Sequence, residues 1–432
     1  MLDNINIKEY FKPDLANMGG NLVNKTKGDR VIWAIVIILT LASLLLVYSS
    51  TGSLAYRMSK STESYLFKQF AFIMLGLLVI YFAHRINYTL YSRLALILFL
   101  ISIPLLLYTL FFGVQLNAGS RWIKLPVINM TFQTSDLAKL ALFMYMSRQL
   151  SKKQQVIKDF KKGFLPVVIP VVIICGLIAP ANLSTAILIA GTSFMLMFIG
   201  RVSTKHILLT MALAMIPVLF LISIAVSTYD SKTGESKKLP AILSAGRIPT
   251  WIGRIQTFVY SKKEDDNEKL YQINQAKIAI AKGGWLGKGP GNSEQRNFLP
   301  HSYSDFIYAI IIEEYGIFGA AIMCFIYLLF LYRCIRIYRK CPYAFGAFLA
   351  LALSFTLVIQ AVANMGVNVN LFPNTGVTLP LVSMGGSSFL FTCLSIGIIL
   401  SVARNVEQQE GKLAEQKVAA SNETITDNTA AA

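Results

Sequence analysis

The sequence predicts an all-α polytopic membrane protein with about ten transmembrane helices, both termini cytoplasmic and one large external loop between helices seven and eight. Three observations carry this reading. Of the 432 residues, 55% are hydrophobic and 14% charged, against about 25% charged in a soluble domain. The apolar residues are gathered into long runs, and the stretches 94–120 and 207–226 hold no charged residue. Runs of ~20 such residues span a bilayer. The Lys and Arg residues collect in alternate connections between the runs, which fixes their orientation.

Taken in order, residues 1–30 are polar, lack an apolar core, and read as a cytoplasmic tail with no cleavable signal peptide. The first span, 31–49, follows Lys25, Lys27 and Arg30 and serves as its own insertion signal. The second, 65–83, comes after Arg57 and Lys60 and ends at His84 and Arg85; the third covers 93–112. A short external loop with only Arg121 and Lys124 leads to the fourth, 134–150. Lys152, Lys153, Lys158, Lys161 and Lys162 then precede the fifth span, 163–180, which turns at once into the sixth, 183–200. Arg201 and Lys205 introduce the seventh, 205–227.

Segment 228–304 is the long external loop, whose apolar pieces 251–259 and 273–280 are too short to cross and read as interfacial amphipathic helices. The eighth span, 305–332, ends at Arg333, Arg336, Arg339 and Lys340. The ninth and tenth, 344–366 and 386–403, are joined by a loop without Lys or Arg. Residues 31–404 form one transmembrane domain, and the polar segment 405–432 reads as a disordered cytoplasmic tail.

Two function classes fall away. The net charge of +18 would suggest nucleic acid in a soluble protein, but here the basic residues sit in loops between spans and form no soluble basic face. Of the five cysteines, Cys175, Cys324 and Cys393 lie inside apolar runs, Cys334 and Cys341 flank a basic loop, and no CxxC occurs. Neither disulfides nor zinc are expected.

Charged residues at membrane depth are costly without a partner and mark functional or structural contacts. Asp136 and Lys139 lie three apart on one face of the fourth span, either as a structural ion pair or as substrate ligands. Glu313 and Glu314 lie about two turns into the eighth span and are expected to pair with Lys139. Asp305 ends the external loop in Leu-Pro-His-Ser-Tyr-Ser-Asp-Phe, where it can cap the helix or act as a general base at the water–lipid boundary. His301 is placed to assist it. The external basic residues Arg121, Lys124, Arg247, Arg254, Lys288 and Arg296 suit an anionic headgroup or a diphosphate. Gly283-Gly284-Trp285-Leu286-Gly287-Lys288-Gly289 lacks the spacing of a phosphate loop.

Four stretches point to a family. They are Gly119-Ser120-Arg121-Trp122-Ile123 with Phe132-Gln133-Thr134-Ser135-Asp136-Leu137-Ala138-Lys139; Asn182-Leu183-Ser184-Thr185-Ala186; the loop residues Tyr271-Gln272, the Gly283 to Gly289 stretch, Leu299-Pro300 onward to Ser304-Asp305-Phe306-Ile307 and Glu313-Glu314-Tyr315-Gly316; and Pro373-Asn374-Thr375-Gly376, Leu379-Pro380 and Ser383-Met384-Gly385-Gly386-Ser387-Ser388. Together they resemble the SEDS (FtsW/RodA) family of bacterial cell-envelope polymerases over about residues 30–404. Departures are Thr134 for a usual Pro, Asp136 for Glu and Asn182 for Asp; the last removes a charge, so no catalytic task is given to that position. The long polar ends, and Glu294-Gln295-Arg296 through Asp305, are closer to the division-type branch than to the elongation-type one.

The resemblance implies a peptidoglycan glycosyltransferase that polymerises lipid II into glycan strands at the outer face of the bacterial cytoplasmic membrane, at the division septum. Asp305 matches the family's essential external-loop aspartate, as base or as ligand of a divalent cation, Mg2+ or Mn2+. Substrate-binding candidates are Arg121, Gln133, Lys139, Arg247, Arg254, Gln272, Lys288 and Arg296, supported by a polar network of Asp136, Glu313, Glu314 and Ser387. Implied partners are a class B penicillin-binding protein carrying the transpeptidase, other division proteins and membrane lipids. The rival reading is a lipid II flippase that uses the intramembrane charges as a translocation route; no inverted repeat with broken spans supports it.

Overall fold

The computed structural model describes residues 28–52, 61–116, 119–124, 131–229, 248–260 and 268–430. The N-terminal tail up to residue 27, the loop segment 230–247 with Arg247, and residues 261–267 lie outside the described residues. Every one of the apolar runs is a helix: α1 (Arg30–Ser50), α2 (Thr62–Arg85), α3 (Tyr88–Phe112), α4 (Thr134–Lys152), α5 (Leu165–Ile178), α6 (Leu183–Ile199) and α7 (Thr204–Ser227), then α10 (Ile307–Lys340), α11 (Ala344–Asn368) and α12 (Ser387–Ala430). Two shorter helices, α8 (Ile248–Val259) and α9 (Glu268–Gly283), lie in the long loop where its apolar pieces predict them.

Eight of the described helical segments are long and apolar enough to cross a membrane, α5 counting together with the π-helical turn Phe160–Phe164 that precedes it. The two runs outside that set have physical reasons for it. α6 has 17 residues, and α4 carries Asp136, Lys139 and Arg148 in an otherwise buried helix.

One element departs from the helical reading. Between α3 and α4 runs a three-stranded antiparallel sheet of β1 (Val114–Leu116), β2 (Gly119–Lys124) and β3 (Thr131–Gln133). Trp122 pairs with Gln133 and Ile123 with Phe132, which carries the chain from the end of α3 to the start of α4. Strands this short leave too few residues for an alternation to be read.

α11 is the axis of the bundle. Its residues are buried almost throughout, against α10, α4, α6 and α12. α7 is the opposite case, with only Ile207 and Ala225 buried along its length. A helix that is apolar all round and covered by so little protein faces lipid.

α10 is broken at Gly316, whose φ of 67° and ψ of −169° are not helical. The backbone groups freed by the break are taken by the external loop: Lys288 N–H donates to Glu313 O (2.9 Å), Gly289 N–H to Glu314 O (2.9 Å), and in return Ile317 N–H donates to Gly284 O (3.0 Å). The segment before the break, 307–314, is buried on all sides.

α12 continues to Ala430, past Arg404, where the polar composition predicts disorder. Glu, Gln, Lys and Ala are strong helix formers, so the same composition also suits a solvated helix.

Candidate active site

A cavity of about 260 Å3 opens among α4, α6, α8, α11 and the loops before α10 and α12. Gln133, Asp136, Lys139, Arg254, His301 and Asp305 all line it. Residues scattered over some 170 positions of sequence are thus brought to one site.

Each arrives for a local reason. Gln133 ends β3; its backbone N–H donates to Ser387 Oγ (3.2 Å) and its amide to Ser135 Oγ (3.0 Å), which joins the sheet to the start of α12. Thr134 opens α4 and accepts from the Thr109 hydroxyl (3.0 Å). Proline is well suited to that first helical position, so the exchange of Pro for Thr is tolerated.

One turn into α4, Lys139 Nζ lies 3.4 Å from Asp136 Oδ1 and donates to Gln360 Oε1 (3.1 Å). The second Asp136 oxygen is buried and has no hydrogen-bond partner among the described residues. Asn182 caps α6 by accepting from Thr185 N–H (3.4 Å). A neutral amide does this as well as a carboxylate, which accounts for the departure from Asp. Arg254 stands on α8, which Gln256 ties to the end of α7 through Ala225 O (3.0 Å) and Thr228 Oγ1 (3.2 Å).

The Asp305 loop is pinned from the far side. Ser383 Oγ donates to Ser304 O (2.6 Å) and Met384 N–H to Tyr303 O (3.0 Å). His301 adopts a left-handed φ of 58°, which turns the chain so that both His301 and Asp305 border the cavity. Gly376, at φ 63°, lies against the Asp305 carboxylate: a β-carbon there would sit 3.5 Å from Oδ2. Burial and the Asp305 charge push the Tyr303 phenol up, so it stays protonated beside the carboxylate.

Of the other expected ligands, Lys288, Arg296 and Gln272 do not line this cavity. Lys288 is held by Glu294 (2.7 Å) and lies 3.9 Å from Glu313. Arg296 donates to Ser49 O (2.9 Å) and Ser49 Oγ (3.3 Å). Both cations bind the external loop to α1 and α10 instead of lining the site. Gln272, on α9, accepts from Asn374 Nδ2 (3.4 Å) and so braces the loop that supplies Gly376. Arg121 lies in β2 with its side chain outside the described residues, as is Arg247 altogether.

The expected pairing of Lys139 with Glu313 and Glu314 is also corrected. Glu313 accepts from the Ser293 hydroxyl, from Glu294 N–H (3.1 Å) and from Gln295 N–H (3.2 Å). Glu314 accepts from the Ser49 hydroxyl. These buried carboxylates are satisfied by the external loop and α1, which take up their acceptor oxygens in place of Lys139. Gln360 takes the place at Lys139 that they were expected to fill.

Among the described residues no three His, Cys, Asp or Glu side chains converge as a metal site. Mg2+ does not need such a cage: it is usually held by one or two carboxylates with substrate phosphates completing its shell. Asp305 and the unpartnered Asp136 oxygen are of that kind.

Sequence reasoning missed Gln360, and with it Thr356, Asn364 and Asn368. The signal was present: four polar residues at intervals of four place a polar stripe down one face of the apolar run 344–366 and its end.

Compared with known proteins, residues 29–408 match the FtsW/RodA/SpoVE family, described as "Cell cycle protein". A "Probable peptidoglycan glycosyltransferase FtsW" of Trichlorobacter lovleyi is 32% identical over 383 residues, 88% of this chain and 94% of the relative. "Stage V sporulation protein E" of Bacillus subtilis is 30% identical, covering 88% and 98%. Among solved structures, a chain from "Structural coordination of polymerization and crosslinking by a peptidoglycan synthase complex" superposes with a TM-score of 0.65 at 22% identity, over 88% of this chain and 99% of that one. The rod shape determining protein RodA of Thermus thermophilus gives 0.59 at 21%, over 88% and 98%.

Proposed function

The chain belongs to the FtsW/RodA/SpoVE family, and from that premise and the cavity around Asp305 we propose that it is a peptidoglycan glycosyltransferase polymerising lipid II at the outer face of the bacterial cytoplasmic membrane. One observation carries the chemistry: the Asp305 carboxylate lines a cavity that Arg254 and Lys139 also line. Asp305 takes the proton from the 4-hydroxyl of the acceptor sugar, which attacks the anomeric carbon of the donor. Lipid diphosphate leaves, and Arg254 and Lys139 face its developing charge. Lys288, bound to Glu294, has no part in this step. Asp305 and Asp136 are the residues that would hold a divalent cation, which would supply neutralisation of phosphate charge there. Both substrates are anchored in the same bilayer, which restricts their encounter to two dimensions and fixes part of their orientation.

Both termini are cytoplasmic, in keeping with the basic residues of alternate loops. The naming of several relatives as FtsW supports a septal role among other division proteins. The likeness to a chain of a complex that couples polymerisation to crosslinking supports a class B penicillin-binding transpeptidase as partner.

The test is polymerisation of labelled lipid II by the purified protein, with and without the transpeptidase and with divalent metal present. Wild type yields long glycan chains, and Asp305→Asn abolishes them while folding and partner binding are kept. A general base contributes at least ~100-fold, so residual activity above roughly a tenth of wild type overturns that role for Asp305. No chains under any condition would favour a flippase, which makes no product in detergent.

A further inference from the structure

The polar stripe on α11 ends at Asn364 and Asn368, both about 1% exposed. A buried amide is costly unless its donors and acceptor are used, so where these hydrogen bonds go is informative. Asn364 Nδ2 donates to Asp305 O (2.9 Å) and Val377 O (2.7 Å). Asn368 Nδ2 donates to the same Asp305 O (3.0 Å) and to Asn364 O (2.8 Å), while its Oδ1 accepts from Ala309 N–H (3.0 Å). Two buried side chains, one helical turn apart, thus converge on a single carbonyl oxygen.

That carbonyl belongs to the proposed base. α10 starts at Ile307 with no side-chain cap of its own from Phe306, and Asn368 supplies the cap acceptor from the neighbouring helix. The backbone on both sides of Phe306 is therefore fixed by α11, the most deeply buried helix. Asn364 also joins Asp305 to Val377, beside Gly376 against the carboxylate.

We propose that Asn364 and Asn368 are positioning residues for Asp305: they hold its backbone so that the carboxylate faces the cavity at the distance proton removal requires. The inference rests on the reading of Asp305 as general base. A misplacement of about 1 Å in a reacting group can lower a rate by about 100-fold.

The experiment measures lipid II polymerisation by the full chain, normalised to folded protein, for Asn364→Ala and Asn368→Ala. Each is expected to lose about 10- to 100-fold in kcat with KM for lipid II within about twofold of wild type. Gln69→Ala is the control: Gln69 is an equally buried amide, bonded to Ser43 Oγ (2.8 Å) on α1, and its loss lowers stability without changing kcat per folded molecule. Should an alanine variant not yield folded protein, Asn364→Ser and Asn368→Ser leave a smaller void and one donor, and are read the same way. Wild-type kcat per folded molecule in either asparagine variant overturns the proposal, as does a loss carried wholly by KM. Asp305→Asn, assayed alongside, separates the two failures. If it stays active, the base assignment falls and the clamp with it; if it is inactive while the asparagine variants are not, the clamp alone falls.

Discussion

At the scale of single residues, spacing alone revealed some pairs and concealed others. Asp136 and Lys139, three apart on a helix, were legible as neighbours because helical geometry dictates it. The partner that completes them, Gln360, is 221 residues away from Lys139, and no local rule reaches that far. Glu294 shows the same limit. It reads as an ordinary loop carboxylate, yet Lys282 (2.6 Å) and Lys288 (2.7 Å) both bind it. These two ammonium groups hold its carboxyl down at about 2, against an ordinary 4.5. A depressed carboxyl contributes stability above its unfolded value and loses it as pH falls, here from about 4.5 to about 2. The thermal midpoint of wild type should therefore exceed that of Glu294→Gln at pH 6, and the gap should close as pH is lowered through that window. A gap that stays constant down to pH 2 would mean that the two lysines do not hold this carboxylate in the folded protein.

At the scale of elements, the helices were legible because length and apolarity suffice to mark a membrane span. The break in α10 was not. Gly316 is one of two glycines, with Gly319, in the apolar run 305–332, and the glycines at 283–289 lack the spacing of a phosphate loop and match no other local rule. Their positions follow from close backbone approach: a β-carbon on Gly287 would sit 2.3 Å from Glu314 O, and one on Gly316 2.2 Å from Trp285 O. Two segments far apart in sequence must both lack side chains for the loop to dock on the break. Gly316→Ala meets that contact and also a left-handed φ, so it should cost about 3 kcal/mol or prevent folding. Gly191→Ala, in mid-helix on α6 with nothing within 4 Å, should instead stabilise by roughly 0.5–1 kcal/mol. Thermal unfolding of the two variants in the same detergent checks the opposite signs; destabilisation by both, to a similar extent, would remove the docking argument.

At the scale of the molecule, α1 links two ends of the bundle. Its 21 residues rise about 30 Å, the thickness of a hydrocarbon core. One end, Ser49 and Ser50, receives Arg296 and Ser302 of the loop that leads to Asp305. The other end begins at Asp29, whose Oδ1 caps α1 through Val31 N–H (2.9 Å) and Ile32 N–H (3.2 Å), while Oδ2 takes Arg333 of α10 (2.5 Å). Gly28 N–H donates to Glu407 (2.7 Å) and Lys340 pairs with Glu410 (2.7 Å), so α1, α10 and α12 are tied together there. Loop charges foretold which ends share a face, but not that these three helices meet, since span order carries no information about neighbours. Besides its polar stripe, the density of Ala, Gly and Ser in 344–366 was a sign that α11 is central, because small residues let helices approach. The Asp29 junction yields a prediction that separates its two roles. Asp29→Ala removes cap and ion pair together and should cost roughly 2–4 kcal/mol, because Arg333 is left mostly buried without its partner. Asp29→Asn keeps the cap and removes only the charge, so it should cost less by about 1 kcal/mol. Both variants should polymerise at the wild-type rate per folded molecule, since the length of α1 separates this junction from the cavity. Equal destabilisation by the two would show that capping contributes nothing here, and a lower rate per folded molecule would show that the junction acts on the catalytic end through α1.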